Sequence, residues 1–94
     1  MNELLWETPQ EINLALAKRI SVIRKRKKIT QQQLSSLSGV SLGSIKRFER
    51  TGDISLNHLT NIAFCLGVEG EIKNLFTNTP YQSIEDKESG KYLY

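Results

Sequence analysis

The 94-residue chain is poor in the residues that build covalent frameworks, reaction centres and membrane spans. It holds one cysteine, Cys65, which rules out an internal disulfide and fits a reducing compartment. It holds one histidine, His58, seven residues from Cys65 on what reads as a single helix. One His and one Cys cannot complete a four-ligand zinc site, and about two helical turns separate them, too far for a nucleophile–base pair. There is no glycine-rich phosphate loop and no pair of carboxylates set among apolar residues. The expectation is a protein that is not an enzyme and takes no metal or cofactor. No window approaches the roughly eighteen consecutive apolar residues of a membrane span. The N-terminus, MNELLWETPQE, lacks the basic start and apolar block of a signal peptide. With two prolines and six glycines, neither low complexity nor an internal repeat is visible. A chain of this size buries one modest core and has little left for a deep catalytic cavity.

What is present is unevenly charged. Residues 1–50 carry ten Lys/Arg against four acids, +6, and residues 51–94 carry three lysines against six acids, −3. Such a split suits one face for a polyanion and another for a different partner, although ordinary surface charge accounts for it equally well.

Local signals predict short helices. Thr8-Pro9-Gln10-Glu11 forms a capping box with proline at the first helical position, and Leu16, Ala17, Ile20 and Ile23 follow at helical spacing. That helix should fade within the basic run Arg24 to Lys28, where positive charge suits a C-terminus. Thr30 and Gln33 form a second capping box, with Leu34 and Leu37 expected to be buried and Gly39 ending the helix. Ser41 caps a third helix with Ile45 and Phe48 on its inner side, closed by Gly52. Ser55 caps a fourth, with Leu56, Leu59, Ile62, Ala63 and Leu66 as its apolar stripe and Gly67 as its stop. Glu71 to Phe76 fits a short fifth helix. His58 reads as a surface residue and Cys65 as packing. Phe64, off the apolar stripe, fits packing on the fifth helix or on a second subunit, and Trp6 a core flap or an interface anchor. No earlier segment reads as a strand. The tail after Asn78-Thr79-Pro80, with Tyr81, Tyr92 and Tyr94, fits a strand, a coil or disorder. The predicted fold class is all-α, a compact bundle of four to five short helices, with a domain over 1–76 and a tail over 77–94 that is disordered or contacts a partner.

Residues 30–52, TQQQLSSLSGVSLGSIKRFERTG, combine two short helices about a glycine. This is a helix-turn-helix pattern: Gly39 turns the chain, Leu34, Val40, Ile45 and Phe48 fasten the corner, and the third helix projects its remaining faces. An α-helix has the width of the DNA major groove. Its outward residues are Ser41, Leu42, Gly43, Ser44, Lys46, Arg47 and Arg50.

In order and spacing, Thr30, Gln31, Leu34, Gly39, Val40, Ser41, Ile45, Phe48, Glu49 and Gly52 resemble the helix-turn-helix of the phage-repressor/Cro-like (XRE) transcription regulators. SLNHLTNIAFCLGV resembles that family's fourth helix, and the likeness spans roughly residues 12–76. Two positions depart from the family: Ser35 replaces a usual alanine, and Gly43 stands where a polar base-reading side chain is common. The resemblance implies a lambda-repressor-like fold and a sequence-specific regulator, a homodimeric repressor on palindromic double-stranded DNA. Leu42, Gly43, Lys46 and Arg47 would lie against base edges. Gln31, Ser41, Ser44, Arg50, Lys27 and Lys28 would meet phosphates, with Gln31 also bracing the recognition helix. Arg24 and Glu49 would form a structural pair. A weaker likeness to antitoxins of toxin operons implies, as the alternative, a toxin protein as second partner. The resemblance also implies a cytoplasmic, nucleoid-associated protein of a prokaryote or phage, with no membrane partner.

Overall fold

A computed structural model describes residues 7–78, so Trp6 and the tyrosines of the tail lie outside the described residues. Five helices follow one another: α1 (Pro9–Arg26), α2 (Gln31–Ser38), α3 (Leu42–Thr51), α4 (Leu56–Leu66) and α5 (Glu69–Lys73). Helices as short as α2 and α3 are marginal alone in water, so their ends and their packing decide whether they form.

Four helices begin at side chains able to accept an amide proton. Thr8 and Thr30 each complete a capping box, with Glu11 and Gln33 reaching back to the cap backbone at 2.9 and 2.8 Å. Ser41 and Ser55 accept from the N–H groups of Ser44 and His58. Gly39 and Gly67 end α2 and α4 in the left-handed conformation, with φ of 76° and 73°. The end of α1 has the same geometry without a glycine. There the Ile29 N–H reaches the Arg24 carbonyl (3.1 Å) and the Lys28 N–H the Lys25 carbonyl (2.9 Å), while Lys28 sits at φ 59°.

Gly52 is constrained twice. Its φ is 83°, and a Cβ there would lie 2.6 Å from the backbone carbon of Asn13 and 2.7 Å from the Leu14 nitrogen. This is where α3 meets α1. α3 also packs on α2, α2 on α4, and α5 on α4. Between them Leu34, Val40, Ile45, Phe48, Ile62 and Leu66 are enclosed completely, joined by Ala17, Ile20, Ala63 and Leu59. At about 1.5–3 kcal/mol for each large side chain buried, Ile45 and Phe48 hold α3 in place far more than its intrinsic propensity does.

Four expectations need correction. Leu37 is 64% exposed, because the inward side of α2 runs through Gln31, Leu34, Ser35 and Ser38. Leu56 is 69% exposed, because the first turn of α4 extends beyond the core that Leu59, Ile62 and Leu66 reach. His58 is half-buried, with its N–H on the Ser55 cap. The fifth helix begins at Glu69, since the turn at Gly67-Val68 leads straight into it and Glu69 and Glu71 suit its positive N-terminal end. Phe76, at φ 65°, lies beyond it. Phe64 is 63% exposed, and Cys65 is half-buried against the core.

Candidate nucleic-acid interface

At roughly 100° per residue, burying Ile45 and Phe48 points the opposite side of α3 along Gly43 and Arg50, with Lys46 and Arg47 beside them. Lys46, Arg47 and Arg50 are exposed. Leu42 and Ser44 sit on the flanks of that face and are half-buried. An added Cβ at Gly43 would meet nothing within 4 Å, so the first turn of α3 presents bare backbone at the centre of the outward face.

The helix is fixed at its C-terminal half by a polar cluster. Arg24, 7% exposed and the single buried charge among the described residues, grips Glu49 through Nε (2.7 Å) and Nη2 (3.0 Å) and donates from Nη1 to the Ile29 carbonyl (2.8 Å). Gln31 Nε2 donates to the same Glu49 carboxylate at 2.9 Å. One carboxylate thus ties α3 to α1 and to the start of α2. Burial would push the Glu49 carboxyl up. Hydrogen bonds from Arg24 and Gln31, with the charges of Arg24 and Lys25, outweigh that and hold its pKa below the ordinary value.

At the front of α3, the Ser41 hydroxyl accepts from the Ser44 N–H (3.1 Å) and donates to Ser44 Oγ (2.8 Å). The Ser44 hydroxyl proton is left over for an outside acceptor. Lys27 and Lys28 are exposed and part company. Lys27 Nζ lies 3.9 Å from a Cβ built on Gly67, at the C-terminal, partly negative end of α4. Lys28 borders a shallow depression against the outer side of α2, with Gln32 and Ser36. Arg47, midway along α3, reaches Asp53 just past the helix end: Nη2 meets Oδ2 at 2.6 Å, with both side chains exposed. Sequence reasoning missed Asp53 altogether. The available signal was an acid just past the helix-ending glycine, six residues from Arg47.

Two short helices crossing at a glycine, the second clamped from behind and basic in front, define a helix-turn-helix DNA-binding domain. The sequence profile of the Cro/C1-type HTH DNA-binding domain matches residues 19–76, more than half of the chain, and the chain belongs to that family. No curated protein and no solved structure matches it. Among the described residues no helix is long and apolar enough to cross a membrane.

Proposed function

We propose that this protein is a sequence-specific transcriptional repressor that binds a palindromic operator as a homodimer and has no catalytic activity. The observation that carries this reading is the rigid mounting of α3: Ile45 and Phe48 buried, Glu49 clamped, and Lys46, Arg47 and Arg50 left exposed on one side. In the proposed complex α3 of each subunit enters the major groove, the two half-sites lying about 34–36 Å apart. Lys46 and Arg47 read base edges together with Leu42, and the bare backbone at Gly43 lets the helix approach closely. An arginine held bidentate to guanine discriminates by roughly 1–3 kcal/mol. Ser44, Arg50, Lys28 and the N-terminal amides of α2 at Gln31 hold phosphates and set the register. Repression follows from occupying a site that overlaps a promoter, in the cytoplasm of a prokaryotic or phage-infected cell.

The second reading, an antitoxin that binds DNA and a toxin, is favoured by the exposed Phe64, Leu75 and Phe76, apolar surface for a protein partner to cover. A toxin gene adjoining this one would support it. Selection of bound sequences from random duplex DNA tests the main reading. The expected winner is a palindrome, and Arg47→Ala should lower operator preference more than it lowers random-DNA binding. Enrichment of no sequence would overturn it.

A further inference from the structure

Arg47 and Asp53 are joined by more than their ion pair. The Thr51 hydroxyl donates to the Arg47 carbonyl at 2.7 Å and accepts from the Asp53 N–H at 3.2 Å. Gly52, left-handed and wedged against α1, brings the chain back at that point so that Asp53 returns alongside α3. The backbone of Asp53 is therefore held beside α3, which brings its short carboxylate to Arg47. The pair's value to stability is small, because both partners are more than 60% exposed and such pairs are screened by solvent. An acid at this position also opposes a polyanion. Its presence beside an outward arginine calls for another explanation.

The guanidinium has five N–H donors in one plane, and Asp53 occupies one end of that plane at Nη2. Among the described residues no other acceptor meets the guanidinium, so its remaining edge is open to donate a forked pair of hydrogen bonds, while the carboxylate offsets the positive charge that would draw the side chain to any phosphate. Attraction to phosphates is sequence-independent, whereas hydrogen bonding to base edges is not. We propose that Asp53, held by Thr51, is a specificity-determining positioning residue. It restrains Arg47 in a base-reading orientation and withholds it from the DNA backbone. This rests on the DNA-reading role of α3 proposed above.

The test uses the full chain, the duplex selected from random DNA, and a scrambled duplex of the same composition. Asp53→Asn should raise affinity for the scrambled duplex, steepen its log–log salt dependence by up to about one for each subunit of the dimer, and reduce the operator-to-scrambled ratio about five- to tenfold. In an Arg47→Ala background the same substitution should leave that ratio within about twofold, because its effect acts through the arginine. Thr51→Val should lower the ratio in the same direction as Asp53→Asn, and Thr51→Ser should keep it. If Asp53→Asn changes both duplexes by one factor, or acts equally with and without Arg47, the proposal is overturned while the repressor reading stands. If the wild type prefers no duplex at all, both fall together.

Discussion

Lysine at position 28 sits in a conformation that an L side chain resists, and replacing it should separate stability from binding. Lys28 has φ 59° and occupies the turn that closes α1 through the Lys28–Lys25 and Ile29–Arg24 hydrogen bonds. A non-glycine residue there costs about 1–2 kcal/mol. Glycine removes that strain but gains freedom in the unfolded chain, which returns about 0.4–1 kcal/mol. Removing one of the five positive charges between Arg24 and Lys28 also lessens repulsion. Lys28→Gly should therefore stabilise the fold by about 0.5–1 kcal/mol, or ~2–8 °C in Tm for a domain of this size. Urea and thermal unfolding followed by circular dichroism measure it. Under the proposed function the same variant should bind operator more weakly, with the salt slope reduced by about 0.9 for each subunit, or about 1.8 for the dimer. Lys28→Asn, which tolerates the left-handed turn but lacks the charge, should behave similarly. A Lys28→Gly protein no more stable than the wild type would refute the strain argument. A stabilised protein with an unchanged salt slope would assign Lys28 to the fold alone.

Three further outcomes follow from distances already given. Gly52→Ala combines left-handed strain with backbone overlap at α1 and should cost about 2–4 kcal/mol, whereas Gly39→Ala, with open space around it, should cost about 1–2 kcal/mol; comparing their urea midpoints checks the difference. Glu49→Ala leaves the buried Arg24 without its carboxylate and should destabilise by about 3–5 kcal/mol. Because the folded-state pKa of Glu49 is depressed, its stabilisation is full above the unfolded-state value of ~4.3 and fades as pH falls through the folded value. Acid titration of unfolding should accordingly be shallower in Glu49→Gln. Gly43→Ala, placed in helical backbone with nothing within 4 Å, should raise stability by about 0.5 kcal/mol, with operator affinity falling if the helix approaches DNA there, as gel-shift titration would show.

The sequence by itself determined where the first four helices begin and where α2, α3 and α4 end. Thr8, Thr30, Ser41 and Ser55 announce their starts, and Gly39, Gly52 and Gly67 their stops, because capping and left-handed turns involve atoms only three or four residues apart. It also determined the inward side of α3, since Ile45 and Phe48 are the apolar pair in the body of the helix, with Leu42 in its first turn half-buried on the flank. The Arg24–Glu49 pairing was reachable only through family resemblance, for 25 residues separate the partners. Tertiary structure alone decided the rest. It turned the polar edge of α2 inward and left Leu37 outside, pressed Gly52 against Asn13 and Leu14, drew Lys27 towards the end of α4, and set Asp53 on Arg47. Each of these depends on how helices cross or on where the chain returns after a turn. Such choices are made by packing between distant segments, and a local pattern carries no record of them.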